Sequence, residues 1–254
     1  MKAIEYHRPT QIDEALALLG RATPLTMPLA GGTWLNQPGM EPVAVVDLQA
    51  LPLNQLQRQG QLLQMGATCT LQSLLDAIPD VPDDLRKAIR HEASYNLRQA
   101  ATIAGTLVAA GGRSPFTTAL LAMDASVHIL PEDQDISLGD LLPLRSEHLS
   151  GRLISQVTIP LNARLAYEYV ARTPADQPIV CVAAAMWPSG RVRLALGGYG
   201  SAPLLAFDGS EPAGVEIAAQ SAYSQAGDDW ATAPYRQEMA GVLARRCLEK
   251  LQTS

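Results

Sequence analysis

Two short runs of small residues carry the chemistry that this sequence offers. Ala30-Gly31-Gly32-Thr33 supplies consecutive backbone N–H groups with no bulky side chain in the path of an anion. Glycine also reaches the positive φ angles at which neighbouring N–H groups converge into a nest for negative charge. Thr33 adds a hydroxyl donor, and Trp34 offers a ring either to a planar ligand or to the core. Thr102-Ile103-Ala104-Gly105-Thr106 repeats the recipe, with small residues bracketed by two hydroxyls. A glycine pair alone most often marks a turn. Two such runs together suit a diphosphate, which needs donors from more than one side. Neither is a Walker loop, since no Gly-Lys-Ser/Thr follows, and neither is a GxGxxG dinucleotide fingerprint.

Other chemistries have weaker support. Cys69, Cys181 and Cys247 are far apart and form no CxxC pair, which argues against a zinc ribbon or an iron–sulfur cluster held by this chain alone. Cys181 lies in an apolar run and reads as a buried thiol. His7, His91, His128 and His148 show no HxxxH or HExxH spacing, so no metal site is expected. With 254 residues, 47% hydrophobic and 17% charged, the chain is an ordinary globular protein of one large domain or a few subdomains. The net charge of −6 and the lack of a Lys/Arg cluster argue against a nucleic-acid partner. No apolar run is long enough to span a membrane, and the polar start MKAIEYHRPT is unlike a signal peptide, so the cytoplasm is the expected location.

The elements that must position the two runs follow from periodicity. Thr10 is expected to cap a first helix with Ile12, Ala15, Leu16 and Leu19 on one stripe, ended by Gly20. Leu25–Leu29 and Val43–Asp47 read as strands on either side of the first run, making a β-α-β-β unit. Leu62–Gly66 predicts a strand, Leu71–Ala77 a short helix, and Pro82-Asp83-Asp84 opens a helix with Leu85, Ala88 and Ile89 on one face. The second run reads as a loop, followed by a helix over Thr118–Met123 and strands over Ser126–Leu130 and Leu153–Ile159. Leu165–Ala171, Ile179–Met186 and Val192–Leu196 read as three antiparallel strands, the last two joined by a Trp187-Pro188-Ser189-Gly190 turn. Gly209–Gly227 gives no clear pattern. A terminal helix runs from Pro234 toward Leu251, with Met239, Val242, Leu243 and Cys247 on one stripe. The fold class is α+β, divided into residues 1–55, 56–160 and 161–254.

These motifs, in this order, resemble the flavin-binding medium subunits of molybdenum hydroxylases, the xanthine dehydrogenase and carbon monoxide dehydrogenase group with its PCMH-type FAD-binding fold. Ala30-Gly31-Gly32-Thr33 is similar to that family's first AGG loop. Arg98 with Thr102–Leu107 is similar to its RN-x-x-TIGGNL, and Ala119–Ala125 to its ALLALDA helix. Arg172 with Asp176 resembles the R-x-x-x-D segment near the flavin ring, and ATAPYRQEMAGVLARR (Ala231–Arg246) the family's ASAEYRRHLA-x-VL-x-RA helix. The resemblance covers nearly the whole chain. It implies an oxidoreductase component that binds FAD through Ala30, Gly31, Gly32, Thr33, Trp34, Thr102, Ile103, Ala104, Gly105 and Thr106, with Arg172 and Asp176 near the ring. It implies a molybdopterin-containing large subunit and a small subunit with 2Fe-2S clusters as partners, commonly as a dimer of heterotrimers. Electrons pass through the flavin to NAD or another acceptor, a role of placement and redox tuning that needs no catalytic side chain.

The sequence departs from the family pattern at named places. Ala104 replaces a glycine, where its methyl would stand close to a phosphate, and Thr106 replaces an asparagine. Ala109–Phe116, with Gly111, Gly112 and a new Arg113, replaces a more polar segment, and Gln177 stands where an aromatic residue is common. Arg113 is expected either to contact a phosphate or to face solvent. An ordinary surface ion pair is the alternative for Arg172 and Asp176. The competing function is a flavin-free assembly subunit of the same fold. A self-contained covalent-flavin oxidase is disfavoured, because no His or Cys stands beside the first run.

Overall fold

The computed structural model describes residues 3–35, 42–77 and 81–253. In chain order the described residues form β1 (Ala3–His7), α1 (Ile12–Leu19), β2 (Thr26–Leu29), β3 (Val43–Asp47), β4 (Leu56–Gln59), β5 (Leu62–Gly66), α2 (Leu71–Ala77) and α3 (Asp83–Glu92). Next come α4 (Tyr95–Arg98), α5 (Ile103–Ala109), α6 (Pro115–Ala122), β6 (Ser126–Leu130), β7 (Gln134–Ser137), α7 (Leu138–Leu141) and α8 (Arg145–His148). The chain ends with β8 (Leu153–Pro160), β9 (Arg164–Val170), β10 (Val180–Met186), β11 (Val192–Gly197), β12 (Leu204–Gly209), α9 (Val215–Ala222) and α10 (Ala233–Thr253). Two compact units result. The first comprises Met1–Ile78, Tyr95–Ala109 and Ser126–Thr158, and the second Pro79–Ser94, Ala110–Ala125 and Ile159–Ser254. No helix among the described residues is long and apolar enough to cross a membrane.

In the first unit β1 and β2 both run parallel to a central β3, whose five residues are all buried. The predicted stripe of α1 sets Ala15 and Leu19 against Val46, Leu48, Leu51 and Leu53. Thr10 does not cap this helix. Gln11 takes the cap position in an extended conformation without a side-chain hydrogen bond, and Asp13 and Glu14 in the first turn face the helix dipole instead. A five-stranded sheet of order β4-β5-β8-β6-β7 completes the unit. Val127 and Ile129 of β6 are buried while its other residues are half-buried, the alternation of a strand with one covered face.

The second unit is built on an antiparallel sheet of order β12-β11-β10-β9. Val180, Val182 and Ala184 of β10 join a core with Ala240, Leu243 and Cys247 of α10. Cys181 points the other way, its Sγ 3.7 Å from Thr118 Oγ1 of α6. A strand covered on both faces has no polar side, which explains the unbroken apolar run. The expected three strands are present and β12 is a fourth. As a half-exposed edge strand it lacks clean alternation. α9 falls within the patternless stretch because only Val215 and Ala219 of it are buried, too few to make a stripe. α6 begins at Pro115, before the expected Thr118. Ser114 caps it, accepting from Thr117 N at 3.2 Å, and Pro115 at the first helical position needs no acceptor.

Candidate functional site

Both small-residue runs lie in the first unit. Ala30–Thr33 leaves the end of β2, and a Cβ placed on Gly31 would stand 1.7 Å from Ala100 O. No side chain fits there, so the first run lies directly on the backbone that leads into the second. Gly32 has φ +67°, in the left-handed region where glycine is favoured. The N–H groups of Gly31, Gly32, Thr33 and Trp34 find no hydrogen-bond acceptor among the described residues, and Thr33 and Trp34 are exposed. Unbonded amides bunched at a glycine turn are the arrangement that receives an anion.

The second run is not a loop. Thr102 precedes α5, and Ile103–Thr106 form the first turn of that helix. Thr102 Oγ1 accepts from Gly105 N at 3.2 Å, as a helix cap does. Ile103 N donates to Cys69 O at 2.8 Å, Ala104 N to Ala67 O at 3.2 Å, and Thr106 N to Thr102 O at 2.8 Å. The Thr106 hydroxyl donates to that same carbonyl at 2.8 Å. Ile103 and Ala104 are buried, where amides must find acceptors, and all four amides have found them inside the unit. Ala104 is 8% exposed, so its methyl is covered by protein. Arg98 lies outside the turn and donates to Gln72 Oε1 at 3.1 Å.

In the second unit Arg172 and Asp176 sit in the β9–β10 connection but make no ion pair with each other. Arg172 lies 4.2 Å from the ring centroid of half-exposed Trp230, and Arg113 also lies 4.2 Å from it. Three consecutive carbonyls of this connection are held by side chains. Asp176 O accepts from His91 Nε2 at 2.8 Å, Gln177 O from Arg113 Nη2 at 2.7 Å, and Pro178 O from Arg113 Nε at 2.8 Å. A carbonyl only accepts, so His91 carries its proton on Nε2, leaving Nδ1 to accept from Tyr167 OH at 2.9 Å. Burial lowers the His91 pKa, the direction that favours the neutral ring this tautomer requires. Arg113 therefore does not hang free in solvent. It holds the backbone of the loop.

Sequence reasoning missed other anchors of the second unit. Arg236 is fully buried, paired with Asp228 at 2.9 Å and bonded to the carbonyls of Ile179 and Ala226. Asp228 in turn accepts from the backbone N of Trp230 at 2.8 Å, which fixes the tryptophan turn. The only trace of this in the sequence is an aspartate eight residues before the arginine. A Cβ on Gly112 would stand 1.9 Å from Tyr199 O, so the Gly111-Gly112 departure answers a backbone contact. The Glu92 carboxylate receives the Ser114 hydroxyl and the Phe116 N–H, each at 2.8 Å, at the start of α6. Burial pushes its pKa up to about 7. Asp124, at the end of the ALLALDA helix, pairs with Arg191 and Arg193, each at 2.9 Å. Among the described residues no three His, Cys, Asp or Glu side chains cluster to hold a metal.

Comparison with known proteins bears on this geometry. Residues 2–162 match the model of the FAD-binding domain in molybdopterin dehydrogenase. The uncharacterized protein YgfM of Escherichia coli K12 is 28% identical over 246 residues, covering 94% of this chain and 93% of its own. The fold is shared with a chain of carbon monoxide dehydrogenase from Oligotropha carboxidovorans, with TM-score 0.85, 24% identity and coverage of 98% and 97%. It is shared also with a chain of quinoline 2-oxidoreductase from Pseudomonas putida 86, with TM-score 0.76, 21% identity and coverage of 97% and 96%.

Proposed function

This chain belongs to the family of FAD-binding domains in molybdopterin dehydrogenases, and from that membership we propose that it is the flavin-carrying, electron-transfer subunit of a cytoplasmic molybdenum hydroxylase. A molybdopterin-containing large subunit oxidises the substrate. A small subunit with 2Fe-2S clusters carries the electrons to this chain, which delivers them to NAD or another acceptor, within a dimer of heterotrimers. When bound, FAD supplies the redox chemistry, and the chain binds and orients it.

One observation carries the reading. Among the described residues the amides of Gly31–Trp34 have no acceptor, beside a position where Ala100 excludes any side chain. Such a turn suits the phosphate part of the cofactor, with Thr33 as a further donor. The Ala30 carbonyl at the start of the turn accepts from Gln49 Nε2 at 3.4 Å. A second reading, a flavin-free assembly subunit, draws on the amides of Ile103–Thr106, which are already bonded within the unit.

Visible absorption of the purified chain separates the two. The proposal expects flavin bands that survive desalting, or that return on adding FAD. A colourless protein that takes up no FAD, alone or with its partner subunits, would leave the assembly role.

A further inference from the structure

We propose that β1 is a docking edge for a second copy of this chain. The two strands pair antiparallel about a twofold axis at Tyr6 and join two three-stranded sheets into one of six strands.

β1 lies at the edge of its sheet, with β3 as its one neighbour there. An edge strand presents a row of N–H and C=O groups to whatever lies beside it. Among the described residues no backbone group of Ala3–His7 finds a partner outside the ladder to β3. Ala3, Ile4, Glu5 and Tyr6 are all exposed, so both faces of the strand are open. Alternation puts Ile4 and Tyr6 on one face and Glu5 and His7 on the other. Ile4 is 50% and Tyr6 58% exposed.

The other edges of the first unit are blunted in the ways natural sheets use. Pro28 removes a donor from β2, β4 carries Arg58 between two glutamines, and β7 carries Asp135. β1 instead presents two large exposed apolar side chains and no proline.

Its sequence is complementary to itself in one register. With Tyr6 opposite Tyr6, antiparallel pairing sets Glu5 opposite His7 twice and lays Ile4 against the aliphatic stem of Arg8. An imidazole N–H opposite a carboxylate is a hydrogen-bonding pair. The adjacent same-face register would set Glu5 against Glu5, like charges directly opposite. Glu5 accepts from Arg21 Nη2 at 2.6 Å within the single chain, so each carboxylate brought to the joint brings its own cation. Such an isologous contact closes on two copies. A strand of five residues buries less than the roughly 1,200 Å² of a stable interface, so the dimer is weak and concentration-dependent.

Sedimentation of the full chain from about 5 to 300 µM should show a dimer fraction that grows with concentration. Ile4→Lys, an exposed position set against Arg8 of the second copy, should weaken the dimer about tenfold or more. Tyr6→Cys reads the register. Opposite residues stand about 4.5–5.5 Å apart at Cα, within disulfide range. The three native cysteines are buried, so mild oxidation of Tyr6→Cys should give a disulfide-linked dimer through the new thiol. Ile4→Cys places its two thiols more than about 12 Å apart in this register and should not cross-link. Tyr6→Cys gives up the hydroxyl's bond to Asp47, and Ile4→Lys tests the same contact without that loss. A chain that sediments as a monomer throughout overturns the proposal. So does a dimer indifferent to Ile4→Lys, or one in which Ile4→Cys cross-links and Tyr6→Cys does not. Cross-linking of Tyr6→Cys only to a different subunit of an assembled complex also overturns it and gives the edge to that subunit.

Discussion

At the scale of single residues, Glu92 is the clearest example of a group whose environment sets its behaviour. Its carboxylate end is enclosed where α3 meets the start of α6, and its pKa lies near 7 instead of 4.5. A carboxyl with a raised folded-state pKa holds its proton more tightly when folded. It therefore contributes stability that is fully present below about pH 4.5 and is lost as pH rises through about 7. The loss is on the order of 3 kcal/mol at most. Glu92→Gln keeps an acceptor for Phe116 N and removes the titration. Urea midpoints measured across this range should fall with pH in the parent more than in the variant, and parallel curves would refute the assignment. Sequence reading had no access to this residue, because a glutamate at the end of an amphipathic helix looks like any solvated charge. Nor could it foresee that the methyl of Ala104 is covered, since that depends on which way the first turn of α5 faces.

At the scale of elements, the β9–β10 connection shows how a loop becomes rigid without regular structure. Arg113 and His91 hold three successive carbonyls, and the Arg172 side chain is left to stack on Trp230. Arg113→Met removes two hydrogen bonds from a charged donor and should destabilise the protein by about 1–3 kcal/mol. It should also open residues 171–178 to limited proteolysis. Arg172→Met loses only the stack and should cost under about 1 kcal/mol, with the cleavage pattern unchanged. Equal effects of the two substitutions would show that the carbonyl clamp is not what orders the loop. Legibility varied with patterning at this scale. The stripes of α1 and α10 and the apolar run of β10 were plain, because burial of one face or both imposes a period. β12 and α9 bury too few side chains to leave one. The second small-residue run has the sequence of a loop because its glycine and threonines suit turns, whereas in the structure Thr102 acts as a helix cap.

At the scale of the whole molecule, the three cysteines report on the two units separately. Cys69 lies in the first unit and Cys181 and Cys247 in the second, all free and all buried. Burial raises every one of these thiols above its ordinary pKa, Cys181 to about 12. Thiolate is the reactive form, so alkylation of the native protein should be slow at all three and proceed only through opening of the surrounding unit. Family order of the motifs made the first unit's role legible from sequence, but not which of its groups remain free to bind. Labelling addresses that directly. Cys69 O accepts the Ile103 N–H, beside the backbone on which Gly31 rests. A ligand that binds only the closed first unit slows opening-limited labelling of Cys69 by the factor 1 + [ligand]/Kd. FAD at about ten times its dissociation constant should therefore slow Cys69 by roughly tenfold, measured by mass spectrometry of tryptic peptides, with Cys181 and Cys247 read in the same digest. FAD that binds yet leaves the Cys69 rate unchanged would place the cofactor's phosphates somewhere other than the turn at Gly31–Trp34.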